Sequence, residues 1–142
     1  MAERAFDYAT AVPGDAWPAL STPPVSRLTL ALYCGASGDH NPLHVDQDFA
    51  RDAGLGDVIA HGMLVMGYMS RAITDHVPQS ALREFNTRFL AMTRIGHAIT
   101  VEGEVTERFI GGDGALCLRL ALTARDQHGE AKTAGDAVIA LP

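Results

Sequence analysis

From residue 39 to residue 44 the chain places Asp39, His40, Asn41 and His44 around Pro42, directly after Gly38. Pro42 pushes Asn41 out of helical backbone geometry, so these side chains sit on a stiffened loop and not on a helix. A carboxylate and an imidazole held on such a loop can converge on one water molecule, one group accepting a proton while the other donates. That is general acid–base chemistry by a pair of groups, here Asp39 and His44. The same residues also suit a plainer use, in which Asp39 caps the following turn and His44 is a surface histidine.

A second cluster, Ile59-Ala60-His61-Gly62-Met63-Leu64, bears on that choice. Gly62 opens the most apolar helical stretch in the chain. The first N–H groups of a helix have no partner within it, and the helix dipole adds partial positive charge there. With no side chain at Gly62, a carbonyl oxygen could approach and be held as a developing oxyanion. His61 and Gly62 could instead simply start the helix, a reading that weakens when both clusters are taken together.

A metal centre is the third use of these residues, since Asp39, His40, His44 and Asp46 are close in sequence. His40 and His44 would share a face only on a helix, which Pro42 opposes, so no metal is expected. His76, His97 and His128 stand alone near turns or element ends and read as solvated. Met63, Met66 and Met69 read as core, where flexible thioethers fill irregular gaps.

These residues need a scaffold. The first 26 residues are broken by Pro13, Gly14, Pro18, Pro23 and Pro24, which leave room for an edge strand near Trp17–Leu20 and nothing central. Ser26 is placed to cap a helix running to about Cys34 and ended by Gly35 and Gly38, with Leu28, Ala31, Leu32 and Gly35 as its apolar face. Asp46 can cap a short helix through Ala53, stopped by Gly54. The third helix, from about Gly62 to Asp75, is apolar around most of its circumference and is expected to be buried nearly all round.

After Pro78 the hydrophobic period becomes two. Alternation runs through Leu82–Phe89, Ile99–Thr106, Ala115–Thr123 and Thr133–Leu141, with turns at Arg94–His97, Gly111–Gly114 and Asp126–Gly129. Short links between long alternating strands predict an antiparallel meander. The expectation is an α+β protein: a single domain over 1–142 with an antiparallel sheet wrapped around one long central helix. On the outer face of the last strands, Cys117 and Ala121 flank Arg119, and Ala134, Val138 and Ala140 flank Asp136. Together they predict an apolar patch that a second subunit would cover, making the chain a dimer or higher assembly.

At 142 residues with 47% hydrophobic and 20% charged residues, the composition is that of a globular protein. A net charge of −6 argues against general nucleic-acid binding. No apolar run approaches the ~18 residues of a membrane span. Residues 1–10 carry Glu3, Arg4 and Asp7 with no apolar core of a signal peptide, so a cytoplasmic location with Cys34 and Cys117 as buried, reduced thiols is expected.

Gly38-Asp39-His40-Asn41-Pro42-Leu43-His44, followed by Ala60-His61-Gly62-Met63-Leu64, resembles the MaoC-like hydratases and dehydratases. These include (R)-specific 2-enoyl-CoA hydratases and (3R)-hydroxyacyl-ACP dehydratase subunits. Asn86-Thr87-Arg88-Phe89 is similar to the strand after the central helix in that family. The resemblance covers nearly the whole chain and implies a hot-dog fold, usually dimerised through its sheets. It implies reversible hydration of a trans-2-enoyl thioester, on CoA or acyl carrier protein, to the (3R)-3-hydroxyacyl thioester, with no cofactor. By the same resemblance Asp39 and His44 form the catalytic pair and the Gly62 amide holds the thioester oxygen. Asn41, His61, Met63 and Arg88 are the expected substrate contacts, and the partner is a second copy or a related subunit. One departure is Gly67, where some (R)-hydratases carry serine; another is Arg94, where many relatives have proline. Two other uses of the fold stand beside this one. A thioesterase of the kind with an acid on the central helix is disfavoured because Gly62–Ser70 holds no Asp or Glu. A non-catalytic acyl-thioester-binding partner subunit is disfavoured by retention of Asp39, Asn41 and His44.

Overall fold

Pro78 marks the divide between a helical first half and a β second half in the computed structural model, which describes residues 6–141. Residues 1–5, half of the stretch read for an export signal, and residue 142 lie outside the described residues. The elements run β1 (Ala16–Ser21), α1 (Arg27–Ser37), a 3-10 turn (Pro42–His44), α2 (Gln47–Asp52), α3 (Gly62–Thr74), β2 (Leu82–Phe89), β3 (Thr100–Ile110), β4 (Leu116–Arg125) and β5 (Ala131–Ala140).

Local signals set most boundaries. The Ser26 side chain accepts from the Thr29 amide, and Gly38, at φ 74°, ends α1 by donating its N–H to the Cys34 carbonyl. Helix α1 therefore runs through Gly35 and ends later than its glycine content suggests. Asp46 caps α2 through the Phe49 amide.

The strands form one antiparallel sheet in the order β1-β3-β4-β5-β2. Strands β3, β4 and β5 are the expected meander, but β2 pairs with β5 and not with its sequence neighbour β3. Residues 90–99 thus form a crossing connection instead of a hairpin. Gly135 makes the β2–β5 pairing feasible: a Cβ there would stand 1.8 Å from the Asn86 carbonyl oxygen.

The inner sheet face presents Val101, Val105, Leu118, Leu120, Leu122, Ala137 and Ile139, all buried, against Val65, Met69, Ala72 and Ile73 of α3. Trp17 ties edge strand β1 to that helix by donating Nε1–H to the Ala72 carbonyl at 2.8 Å. A second cluster of Val25, Leu30, Ala50, Val58, Ala60 and Leu64 packs α1 and the loops against the start of α3.

Three packing expectations are corrected. Helix α3 is not buried all round: Met63, Gly67 and Arg71 are exposed, because the sheet curls over one side of the helix only. On α1 the buried face is Leu30 and Cys34, while Leu28 and Leu32 lie outward, because Cys34 is drawn against His61 and Leu30 into the second cluster. Part of the expected outer-face patch is already covered: while Ala121 is exposed and Ala134 half-buried, Cys117, Val138 and Ala140 are buried against Phe109 and Ala115. Over them Arg119 pairs with Glu107, Asp136 and Glu84 at 2.7, 2.9 and 3.8 Å. Long charged side chains from adjacent strands thus cover the small residues beneath.

Candidate active site

The α1–α2 loop and the start of α3 meet at one place, for reasons traceable residue by residue. Gly38 turns the chain out of α1 into Asp39. Asp39 Oδ1 accepts the Asn41 amide at 3.2 Å, and Asn41 Oδ1 accepts the Leu43 amide at 3.1 Å, which caps the 3-10 turn that carries His44. This leaves Asp39 Oδ2 facing His44 Nε2 at 3.9 Å.

The tautomer of His44 follows from its other nitrogen. Nδ1 lies 2.7 Å from the carbonyl oxygen of Ile59, which can only accept, so Nδ1 carries the hydrogen. In the neutral ring Nε2 then presents a lone pair toward Asp39. Two acceptors at this separation can hold the two hydrogens of one water molecule.

His61 stands behind the pair. It is fully buried, with its ring stacked on His44 at 3.7 Å between centroids and 24° between planes. Its Nε2 lies 3.2 Å from the Asp39 carbonyl oxygen and 3.4 Å from Cys34 Sγ, while Tyr33 packs on its edge. Burial pushes its pKa down, only partly offset by the bond to the Asp39 carbonyl, which favours the neutral ring. His61 therefore braces the pair from within the protein instead of facing a ligand.

Gly62, the first residue of α3, lines a pocket of about 370 Å³ together with His44, Ala60, Val65, Phe89, Met92 and Thr133. Its amide is one of the helix's unpartnered donors, and no side chain caps that end. The space a side chain would take is filled by Phe89, whose ring would lie 3.0 Å from a Cβ at residue 62. Glycine thus lets Phe89 pack on the helix start.

The structure brings Asp39, His44, His61 and Gly62 together. Asn41 is on the same loop, with its carbonyl oxygen committed to the cap. Met63 is 53% exposed and does not line the pocket. Arg88 lies on the outer face of β2 beside Ala121, Thr123 and Asp136, so within this chain it is separated from the cluster. His97, expected in solvent, is half-buried and accepts the Arg94 amide at Nδ1. Sequence reasoning missed Ile59, whose carbonyl sets the His44 tautomer, and Phe89. The period-two pattern of Phe85, Thr87 and Phe89 is the signal that could have placed Phe89 inward.

Among the described residues, Asp39, His44 and His61 are also a trio whose possible ligand atoms lie within 4.8 Å of one another. Within the protein, His44 Nδ1 is engaged by the Ile59 carbonyl, and His61 Nε2 lies against the Asp39 carbonyl and Cys34 Sγ. His40 is exposed and outside the trio.

A sheet curled around one central helix, with the acid–histidine loop at the helix start, defines a hot-dog protein. Residues 10–116 match the model of the MaoC like domain, and the chain belongs to that family. It is 34% identical over 84 residues to an (R)-specific enoyl-CoA hydratase of Rhodospirillum rubrum, a match covering 58% of each chain. A mitochondrial 3-hydroxyacyl-[acyl-carrier-protein] dehydratase of Arabidopsis thaliana is 37% identical over 70 residues, covering 49% of this chain and 42% of that one. The matches thus span about half of these curated relatives. The unliganded R-hydratase PhaJ1 of Pseudomonas aeruginosa superposes with a TM-score of 0.83 at 28% identity, over 95% of this chain and 84% of that one. The (R)-hydratase of A. caviae involved in PHA biosynthesis gives 0.81 at 27%, over 94% and 98%. No helix among the described residues is long and apolar enough to cross a membrane.

Proposed function

We propose that the chain catalyses reversible hydration of trans-2-enoyl thioesters, on CoA or acyl carrier protein, to (3R)-3-hydroxyacyl thioesters. The observation that carries this reading is the 3.9 Å gap between Asp39 Oδ2 and His44 Nε2, beside a pocket lined by the Gly62 amide. In the forward direction the thioester carbonyl accepts from the Gly62 N–H, so electrons move from the C2–C3 double bond toward oxygen. The water held by Asp39 and His44 adds its oxygen to C3. One of its protons passes to the pair, and a proton is returned from the pair to C2 on the same face. Names of relatives from both enoyl-CoA hydratases and hydroxyacyl-ACP dehydratases support either carrier. The reading includes a cytoplasmic enzyme, working as a dimer or higher assembly of itself or with a related subunit. Exposed Met63, Phe89, Leu90 and Met92 support the assembly.

Loss of the enoyl-thioester absorbance on adding purified protein to a short and a long trans-2-enoyl-CoA is the test. Turnover of either supports the reading, and none with CoA or acyl-carrier thioesters overturns it.

A further inference from the structure

Lys132, the only lysine in the chain, is 1% exposed near the start of β5, at the register shift between the Ala124–Thr133 and Arg125–Ala131 pairs. A buried ammonium persists only where its charge and its N–H groups are met. Its Nζ lies 3.2 Å from Asp126 Oδ2, pairs with Glu130 and donates to the Met92 carbonyl oxygen at 3.0 Å.

Both ends of this arrangement are built. Asp126 Oδ1 accepts the amides of His128 and Glu130 at 2.9 and 3.0 Å, closing the β4–β5 turn. Gln127 of that turn reaches the same crossing connection, accepting from the Ala98 amide and donating to the Gly96 carbonyl. At the other end, Met92 belongs to the 90–93 segment that walls the pocket. The amides of Leu90 and Ala91 donate to the Lys132 carbonyl, and the Thr93 carbonyl accepts the Ala60 amide at 2.8 Å, two residues before Gly62.

We propose that Lys132 is a positioning residue: its bond to the Met92 carbonyl holds the 90–93 pocket wall against the start of α3. This rests on the hydratase reading for its catalytic consequence, though not for its structural one. A wall that contacts the acyl chain equally in ground and transition states acts on KM and leaves kcat nearly unchanged.

Lys132→Met removes the charge and the donor at similar length, and Lys132→Met with Asp126→Asn also removes the buried carboxylate charge left behind, Glu130 being exposed. Residue-resolved amide hydrogen exchange is measured at Ala60, Leu90 and Ala91, with Leu118 and Leu120 as core references, alongside kinetics with a medium-chain trans-2-enoyl-CoA. In the double variant the expected result is exchange at the three wall amides faster by about tenfold with the references unchanged. KM is expected to rise about tenfold, with kcat within about twofold. Wild-type exchange at the wall, or equal acceleration at Leu118 and Leu120, would overturn the proposal, since Lys132 would then only neutralise Asp126 or stabilise the whole fold. If the unaltered protein hydrates no enoyl thioester, the functional reading fails, and exchange at the wall still decides the role of Lys132.

Discussion

The ring of His61 lies stacked beneath that of His44, 3.7 Å between centroids, while its Nε2 reaches the backbone carbonyl of Asp39. One buried side chain therefore touches both members of the proposed catalytic pair. The pair's geometry is set from behind by a residue with no face toward the pocket.

Asp39→Asn and His44→Ala are each expected to lower hydration by about 10²–10⁴-fold, the usual cost of losing a positioned acid or base. Circular dichroism and thermal unfolding should stay close to wild type, since Asp39 is half exposed and His44 lies at the pocket. His40→Ala should be nearly neutral and chelators without effect. Near wild-type turnover in either of the first two variants would remove that residue from the pair.

Gly62→Val places a branched side chain where the Phe89 ring lies. Turnover should fall strongly, because Phe89 must move into the pocket or the helix start must shift away from the thioester carbonyl. Thermal unfolding measured alongside separates this from misfolding. A folded variant with normal turnover would sink the role of the Gly62 amide.

Burial lowers the pKa of both His61 and His97. A histidine lowered in the folded state binds its proton more readily when unfolded. Its stabilising contribution is therefore complete above the unfolded value of about 6.5 and is lost as pH falls below it. The unfolding midpoint should be flat from about pH 7 to 8 and decline from about pH 6.5 downward, with a shallower decline in His61→Phe. Identical pH profiles for the two proteins would show that His61 does not contribute.

Gly135→Ala tests the topology alone. Its Cβ would collide with the Asn86 backbone carbonyl, which no rotamer change relieves, so β2 must shift off β5. A loss of more than about 2 kcal/mol in denaturant unfolding is expected, beyond that of an ordinary surface substitution. A loss below about 0.5 kcal/mol would contradict the β2–β5 register.

Light scattering at micromolar concentration should show a dimer or larger assembly. Here the structure changes the argument as well as the expectation. Leu28, Leu32 and Ile110 are exposed elsewhere, but Phe89, Leu90 and Met92 are exposed large apolar residues that line the pocket, and Met63 is exposed on the first turn of α3. Met63→Asp should therefore weaken both assembly and turnover. A stable, active monomer would overturn the assembly.

What the sequence by itself determined is local. Ser26, Gly38, Asp46 and Gly54 bound the helices, Pro78 marks the change of period, and the Gly38–His44 loop with Gly62 names the site, because each depends on chain neighbours. What only the tertiary structure decided depends on contacts between distant segments. The sequence pattern pointed to Leu28, Ala31 and Leu32 as the buried face of α1, and contact with His61 and the second cluster buried Leu30 and Cys34 instead. Alternation put Arg88 and Phe89 on opposite faces of β2, but only pairing with β5 sent Arg88 outward and Phe89 onto Gly62. His61 reads in sequence as a ligand contact beside Gly62, yet it is buried because the α1–α2 loop folds back over it. Nothing in the sequence singles out Lys132, yet it lies inside because the β4–β5 turn and the crossing connection close around it and supply Asp126 and the Met92 carbonyl.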